Sequence, residues 1–335
     1  MMHEVKQSLL CSMNTRCSSR HGVQARAMPG DADRVRQARL VTAIKTPYLA
    51  SGKPDIAAYD RHVENQIQHG VDGIIVGGTT GEGQLMSWDE HIMMIAHTKS
   101  TFGDKVCVIG NTGSNATREA LHATSQGFIV GMDAALQINP YYGKTSPMGL
   151  HEHFRLCLAE GPAMLYNVPG RTGQDIPDDV VYALQGDPAF LGVKECTGND
   201  RIAQHSQRDV KCWSGNDDEA HEARHSHGGF GVVSVTSNLI PGLYAQMMRE
   251  RSDELNSKLQ ALIGWLFSQP NPIPINTAMA MCGLCQPVTR LPYVELSHEE
   301  RQKGVPLLEA VQEHIPGCRG VRVLEDGEFV RVSNY

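Results

Sequence analysis

Short apolar runs rich in β-branched residues alternate with amphipathic segments at intervals of about 30 residues from Leu40 onward. This rhythm is typical of repeated βα units, in which each helix connects two parallel strands. The predicted strands are Leu40 to Ile44, Gly73 to Val76, Val106 to Ile109, Ala134 to Ile138, Met164 to Asn167, Gly192 to Glu195, Lys211 to Trp213 and Gly231 to Val235. Eight such strands predict an α/β fold, a closed (β/α)8 TIM barrel.

Helices are predicted for Ile56 to His69, Ser87 to Ser100 and Thr117 to Ser125. Ser87 stands at the N-cap of the second helix, and Glu90 follows at the capping-box position. These two residues predict the start of the second helix.

The pattern changes after the eighth strand and predicts a C-terminal helical appendage from about residue 239. Helices are predicted for Leu255 to Phe267 and Ile275 to Leu284, with prolines between them, and a pair of short tail strands for Val321 to Tyr335. The predicted division is a leader or tail at 1–36, a barrel at 37–238 and the C-terminal part at 239–335.

The composition of the chain argues against several classes of function. The formal net charge is -7, the body of the chain has no basic block, and no apolar run approaches the roughly 20 residues that cross a bilayer. Nucleic acid and membrane are therefore not expected as partners. Nine scattered cysteines in a long chain argue against a disulfide framework and for a reducing compartment.

The first 36 residues contain six Lys or Arg, three acids and four serines. This composition is typical of an organelle transit peptide, and a disordered tail without a targeting role is the alternative.

Lys194 ends the apolar run Leu191 to Val193, which predicts a buried strand with an amine at its carboxyl end. Burial disfavours the ammonium form, and a neutral amine can attack a carbonyl group to form a Schiff base. A strand-end lysine whose amine reaches water is the alternative.

Other polar residues follow neighbouring strands and should face the same end of the barrel. Thr79 and Thr80 lie in a glycine-rich turn suited to a small carboxylate, whereas Tyr142, Tyr166 and Arg171 can move protons or bind an acid. A plain tight turn and packed tyrosines are the alternatives for these residues taken singly.

Cys282 and Cys285 form an isolated CxxC motif, for which buried small residues are a better explanation than redox chemistry, although a thiol switch stays open. The histidines show no pattern of metal ligands, so no metal site is predicted.

Several longer motifs occur together in the chain. They are GGTTGEG (77–83), NPYYGKT (139–145), YNVPGRTG (166–173), GVKECTGND (192–200), WSGNDDE (213–219) and QPNPIPINTA (269–278). Together they resemble the dihydrodipicolinate synthase family of class I, pyruvate-dependent aldolases, from about Leu40 to the C-terminus. Residues 41–49 and 81–91 resemble the plant and green-algal form, which implies a plastid (chloroplast stroma) location.

The resemblance implies a reaction and roles for single residues. Pyruvate would form a Schiff base on Lys194 and condense with L-aspartate 4-semialdehyde, without a metal or organic cofactor. Thr79 and Thr80 would hold the pyruvate carboxylate, and Thr79, Tyr166 and Tyr142 would relay protons, with Tyr142 supplied by a neighbouring subunit.

Arg171 would bind the carboxylate of the semialdehyde, and the backbone at Gly215 and Val233 would line the pocket. Gly170 stands where serine is commoner in the family, and Asn216 where bacterial members often have aspartate.

The resemblance further implies a homotetramer, arranged as a dimer of dimers, that L-lysine inhibits at a subunit interface. The implied lysine-binding residues are Gln84, Trp88, His91, Asn115, Glu119 and Tyr141. Two rival functions are another pyruvate lyase of the N-acetylneuraminate lyase type and a catalytically inactive lysine-binding barrel.

Overall fold

The structure, a computed structural model, describes residues 29–335 and contains a closed barrel of eight parallel strands in which the last strand pairs with the first. The strands are β1 (Leu40–Ala43), β2 (Gly73–Val76), β3 (Cys107–Asn111), β4 (Ala134–Ile138), β5 (Ala163–Asn167), β6 (Phe190–Glu195), β7 (Cys212–Ser214) and β8 (Gly231–Ser234). The predicted barrel is confirmed, and each predicted strand overlaps an observed one.

Helices surround the barrel and continue beyond it. Within residues 29–335 they are α1 (Pro29–Gln37), α2 (Ile56–Gln68), α3 (Trp88–Phe102), α4 (Thr117–Ile129), α5 (Pro147–Glu160), α6 (Pro169–Thr172), α7 (Asp178–Leu184), α8 (Asn199–Ser206), α9 (Ala220–Ser226), α10 (Pro241–Arg249), α11 (Asp253–Leu266), α12 (Ile273–Met281) and α13 (His298–Glu309). In this part of the chain, no helix is long and apolar enough to cross a membrane.

The predicted start of α3 is confirmed in part. The Ser87 side chain accepts a hydrogen bond from the Glu90 backbone N–H, as an N-cap should. The Glu90 carboxylate does not close the predicted capping box but pairs with the Arg290 guanidinium at 2.6 and 2.7 Å.

Both faces of the strands are buried, so apolar residues alternate between two cores rather than between core and water. Val41, Ile75 and Trp213 belong to the cluster that fills the barrel, whereas Leu40 and Ile74 pack outward against the helices. Each fully buried side chain of this size contributes about 1.5–3 kcal/mol to stability.

Strand β6 contains an irregularity that determines which way Lys194 points. Phe190 pairs with Ala163 but Gly192 pairs with Met164, so one extra residue is inserted, and Gly192 has a φ of +133°. The extra residue reverses the alternation, because Val193 then packs outward and Lys194 lies opposite Tyr166 on the inward face.

Helix α1, which directly precedes β1, closes the end of the barrel at which the strands begin. Ala32 and Val35 are buried in the same cluster as the inward side chains of the strands, and the Arg34 guanidinium donates to the Gly103 carbonyl at 2.9 Å. The predicted boundary at residue 36 falls inside this helix, and the division of the chain into domains stays a prediction.

The C-terminal part consists of α10–α13 and a two-stranded parallel sheet made of β9 (Val288–Arg290) and β10 (Val330–Val332). The predicted pair of tail strands is wrong, because β10 pairs with a strand that lies about 40 residues earlier in the chain. A sequence pattern so short does not identify a partner that is distant along the chain.

Candidate active site

Lys194 lies near the carboxyl end of β6, within the barrel, and is 8% exposed. Its amine sits 4.2 Å from the centroid of the Tyr166 ring on β5, and among the described residues it has no ion pair. Burial is the main cause of a lowered pKa at Lys194; Arg171 also lowers the pKa, whereas Cys196 and Asp217 oppose the shift. A larger fraction of the amine is therefore neutral and nucleophilic than for a lysine in water.

A cavity of about 250 Å³ opens beside this amine at the carboxyl ends of the strands. Six predicted site residues line it, namely Thr79, Thr80, Tyr166, Arg171, Lys194 and Gly215. Val233 packs in the barrel interior instead, and the residue that lines the cavity from this part of the chain is Val235.

The turn that follows β2 supplies the two threonines. Glu82, a fully buried residue of the same turn with a φ of 59°, stabilises the conformation of the turn. The Glu82 carboxylate accepts hydrogen bonds from the Lys45 amine at 2.5 Å and the Asn276 amide at 2.7 Å. The Thr80 hydroxyl accepts one from Asn271 at 3.1 Å, so the turn is held from the C-terminal part of the chain.

Tyr166 is buried at the wall of the cavity, where burial raises the pKa of its phenol well above the usual range and Arg171 opposes the rise. The phenol therefore keeps its proton at neutral pH and can donate a hydrogen bond to a substrate oxygen in the cavity. Cys196 lies beside both Tyr166 and Lys194, and burial raises the pKa of its thiol to about 11.

Gly215 faces Cys196 and Lys194 so closely that a side chain would not fit. A Cβ atom there would lie 2.2 Å from the Cys196 sulfur and 3.0 Å from Cε of Lys194. The predicted role for Gly215 therefore has a steric basis, since its missing side chain leaves room for the lysine.

Arg171 lies in the short helix α6 at the exposed mouth of the cavity. Its guanidinium donates to the Asn271 carbonyl at 3.4 Å, which leaves other N–H groups free for an acid entering from solvent. At the neighbouring Gly170, a Cβ atom would contact nothing within 4 Å, so the departure from serine costs no packing.

Tyr142 does not line the cavity of its own chain. It is 91% exposed, in a loop where the Tyr141 and Tyr142 backbone N–H groups both donate to the Asn115 side chain, at 3.0 and 2.9 Å. A single chain therefore leaves this phenol in water, and its predicted action in a neighbouring subunit stays a prediction.

A second cavity, of about 360 Å³, adjoins the first. Five of the six predicted lysine-binding residues line it, namely Gln84, Trp88, His91, Glu119 and Tyr141. Asn115 lies outside its lining and contributes only through the bonds to the tyrosine loop. The two cavities have four lining residues in common, namely Thr79, Asn111, Ile138 and Arg171.

The second cavity combines an acid, a hydroxyl and aromatic rings. Glu119 accepts a hydrogen bond from Ser114 at 3.0 Å, and the Trp88 and His91 rings are stacked, with centroids 5.3 Å apart. Burial lowers the pKa of His91 to about 4, so its ring is neutral near pH 7. The Glu119 carboxylate can therefore attract an ammonium group without a competing cation on His91.

Three residues that line the cavities are not predicted from the sequence, namely Cys196, Asn271 and Tyr293. Cys196 lies within the motif at 192–200, but an isolated thiol next to a strand end gives no signal of its own. Asn271 and Tyr293 reach the two cavities from the C-terminal part, and Tyr293 accepts a hydrogen bond from Gln84 at 2.7 Å.

Comparison with known families gives a match to the dihydrodipicolinate synthetase family over residues 36–311. The chain belongs to this family. The matched residues include the whole barrel and the lining of both cavities. The family that the motifs indicate is therefore confirmed.

Relatives agree in sequence and in fold. The chain is 54% identical over 307 residues, 91% of its length and 84% of the relative's, to 4-hydroxy-tetrahydrodipicolinate synthase 1, chloroplastic, of Arabidopsis thaliana. The crystal structure of dihydrodipicolinate synthase from Aquifex aeolicus matches with a TM-score of 0.80 at 32% identity, over 84% of this chain and all of that one. A structure of DHDPS from Cyanidioschyzon merolae with lysine bound matches with a TM-score of 0.78 at 31% identity, over 83% of this chain and 99% of that one.

Proposed function

We propose that this protein is a chloroplast 4-hydroxy-tetrahydrodipicolinate synthase, which condenses pyruvate with L-aspartate 4-semialdehyde. The observation that carries the proposal is a buried lysine with no ion pair among the described residues, in a cavity with the family's threonines, tyrosine and arginine. Support for the location comes from plant relatives that are named chloroplastic.

The reaction begins when the neutral Lys194 amine attacks the C2 carbonyl of pyruvate and water is lost to give an imine. Thr79 and Thr80 hold the pyruvate carboxylate through hydroxyl and backbone N–H groups. Loss of a methyl proton gives an enamine, whose carbon attacks the aldehyde of the second substrate. Tyr166 supplies and accepts protons in these steps, together with Thr79 and the Tyr142 of a neighbouring subunit.

Arg171 binds the carboxylate of the semialdehyde at the mouth of the cavity. It also separates this function from that of an N-acetylneuraminate lyase, whose longer substrate has no carboxylate besides the one in its pyruvate half. The volume of the cavity, about 250 Å³, also favours two short substrates over a longer sugar acid.

We further propose that L-lysine inhibits the enzyme from the second cavity. Glu119 pairs with the α-ammonium group, and Trp88 packs on the methylene stem. Thr79 and Arg171 belong to the walls of both cavities, so a ligand in one can disturb the chemistry in the other. Asn115 holds the tyrosine loop, which connects this cavity to Tyr142.

The assembly in this proposal is a homotetramer built as a dimer of dimers, which is the state that the family resemblance implies. The exposure of Tyr142 in one chain supports an oligomer, because this residue needs a second chain to act on a substrate. No metal or organic cofactor takes part, since the imine itself accepts the electron pair during proton removal.

Trapping of the imine is the experiment that tests the function. Incubation with pyruvate and borohydride should add one three-carbon unit per chain, on Lys194, and Lys194→Ala should lose it. Lys144→Ala is the matched control and should keep the adduct. A label on Lys144 would contradict the proposal, as would a label on Lys45, whose amine is buried against Glu82. Absence of any adduct would favour the inactive lysine-binding barrel.

A further inference from the structure

The loop that carries Arg171 begins and ends at one buried side chain. Asn167 is the last residue of β5, and residues 168–175 form the loop, which includes α6. The side-chain oxygen of Asn167 accepts a hydrogen bond from the Ile176 backbone N–H, on the far side of the loop, at 3.0 Å. Because a backbone N–H can only donate, this bond also fixes which end of the Asn167 amide is the oxygen.

The amide nitrogen of Asn167 has partners for both of its hydrogens. It donates to the Asp175 carboxylate at 2.6 Å and to the two oxygens of the Glu195 carboxylate, each at 3.1 Å. Glu195 also accepts a hydrogen bond from the Thr197 backbone N–H at 2.8 Å. Asn167 and Glu195 are each 1% exposed and lie opposite each other on β5 and β6. A buried pair of side chains therefore joins the loop to the strand of Lys194.

This pair lies on the face of the strands that points away from the cavity. Successive side chains of a strand point to opposite faces, so Tyr166 and Lys194 line the cavity whereas Asn167 and Glu195 do not. Any effect of the pair on the reaction must therefore pass through the residues that it holds.

The position of Arg171 depends on the backbone of its loop. Its guanidinium lies at the exposed mouth of the cavity, and its hydrogen bond to the Asn271 carbonyl is long, at 3.4 Å. Within the loop, the Thr172 hydroxyl bridges the carbonyls of Val168 and Gln174, at 3.2 and 2.8 Å. These bonds make the loop a compact unit, so a shift of its ends moves Arg171 as well.

Two other side chains support the loop. Arg201 on α8 donates to the Ile176 carbonyl at 2.7 Å and pairs with the Asp175 carboxylate at 3.3 Å. From another side, the Asn139 amide donates to a backbone carbonyl of the loop at 2.7 Å. These contacts hold the end and the side of the loop, but the Asn167 amide is the group that joins its beginning to its end.

We propose that Asn167 and Glu195 are positioning residues that hold Arg171 where it binds the carboxylate of the second substrate. The inference rests on the proposed function, which assigns Arg171 to that carboxylate. Removal of the Asn167 amide deprives the Ile176 N–H and two carboxylates of a shared partner, so the end of the loop can shift. Imine formation needs Lys194 and pyruvate but not the second substrate, and it should be spared.

Steady-state kinetics of the full-length Asn167→Ala protein, with each substrate varied in turn, tests the proposal. KM for L-aspartate 4-semialdehyde should rise roughly 10- to 100-fold, because reaction geometry is sensitive to displacements of about 1 Å. KM for pyruvate and the rate of borohydride trapping on Lys194 should stay near the wild-type values. Asn65→Ala is the matched control and should leave all three unchanged. It also removes an amide that donates to a backbone carbonyl, that of Pro316 at 3.3 Å, but Asn65 does not line the cavity.

A double-mutant cycle separates positioning from a purely structural role. In the Arg171→Ala background, Asn167→Ala should have little further effect on KM for the semialdehyde, because the group that it positions is already absent. Glu195→Gln keeps one acceptor for the Asn167 amide, so its KM for the semialdehyde should lie between those of the wild type and Glu195→Ala. Should Asn167→Ala fail to fold, the two Glu195 variants provide the same comparison of KM values.

Three outcomes would overturn the proposal. They are equal rises in both KM values, additive effects of Asn167→Ala and Arg171→Ala, and a loss of kcat with both KM values unchanged, which would leave the pair a role in stability alone. A wild type that traps pyruvate but does not turn over the semialdehyde would instead contradict the proposed function.

Discussion

The space beside Lys194 depends on a residue that has no side chain. A methyl group on Gly215 would overlap the Cys196 sulfur, which cannot retreat far because it is packed against Tyr166 and Lys194. The lysine would then be pushed from its position under the cavity. Reaction geometry is sensitive to displacements of about 1 Å, so the chemistry should suffer before the fold does.

Gly215→Ala should therefore reduce the rate of imine trapping with pyruvate by roughly 100-fold while the far-UV circular dichroism spectrum stays unchanged. Adding Cys196→Ala to this variant removes the overlapping sulfur and should recover part of the rate. If the double variant traps pyruvate no faster than Gly215→Ala alone, the steric explanation is wrong.

Arg171→Ala should raise KM for L-aspartate 4-semialdehyde far more than KM for pyruvate. Loss of a charge-assisted contact costs about 1.5–3 kcal/mol, which corresponds to roughly 10- to 150-fold in affinity. Steady-state kinetics with each substrate varied in turn measures the difference. Arg171→Lys keeps the positive charge but loses the planar guanidinium, so its KM for the semialdehyde should lie between those of the wild type and Arg171→Ala. Equal changes in both KM values would assign Arg171 a structural role.

Single residues in the site were predictable where their chemistry is unusual for their position. Lys194 ends an apolar run, and Thr79 and Thr80 lie in a turn of glycines, so both stand out against a buried background. Cys196 does not, since a small thiol suits any partly buried position. The role of Tyr142 cannot follow from the contacts of one chain, in which it is 91% exposed.

At the scale of elements, the positions of the strands were predictable, but which side chains of β6 point into the barrel was not. Residues on both faces are apolar, so alternation gives no phase, and the extra residue near Gly192 reverses the pattern without changing composition. Only the pairing of Tyr166 with Lys194 reveals that the amine points inward. The partner of β10 was missed for a related reason, because three residues carry too little pattern to specify a register.

Helix α3 begins with Trp88 and presents it to the second cavity, so this element should govern inhibition by lysine. Trp88→Arg places a cation where the ammonium ion and stem of lysine are proposed to bind, and Glu119→Ala removes the pairing acid. Both should raise the lysine concentration for half-inhibition, by roughly 5- to 150-fold for a coupling of ordinary size, while uninhibited turnover survives.

Met93→Arg is the matched control for this prediction, because Met93 lies on the same helix but is 42% exposed and does not line the cavity. It should leave the inhibition curve unchanged. Competition between lysine and pyruvate, or full sensitivity in the Trp88 and Glu119 variants, would contradict the proposed site.

For the molecule as a whole, buried histidines should govern stability in mildly acidic solution. Burial lowers the pKa values of His62, His91 and His153 to about 4 in the folded chain, against an ordinary value of about 6.5. Between about pH 4 and about pH 6.5, the unfolded chain therefore binds more protons than the folded chain. The contribution of each histidine is complete above pH 6.5 and is lost as the pH falls toward 4, by up to about 3 kcal/mol each.

Urea unfolding between pH 7 and pH 5 should therefore show a free energy of unfolding that falls steadily with pH. His62→Gln cannot take up a proton, so its stability should fall less steeply over the same range. A wild-type stability that rises on acidification, or an identical slope in the variant, would show that these histidines are not the cause.

Helix α1 sets a limit on how far the chain can be shortened from its amino end. Ala32 and Val35 are buried in the apolar cluster that fills the barrel, and without this helix part of that cluster would meet water. Trimming or proteolytic maturation that stops before Pro29 leaves this floor in place, whereas a cut after Gln37 would turn the base of the core into an apolar patch of the kind that drives aggregation. The same limit applies to the position at which an affinity tag can be joined or removed.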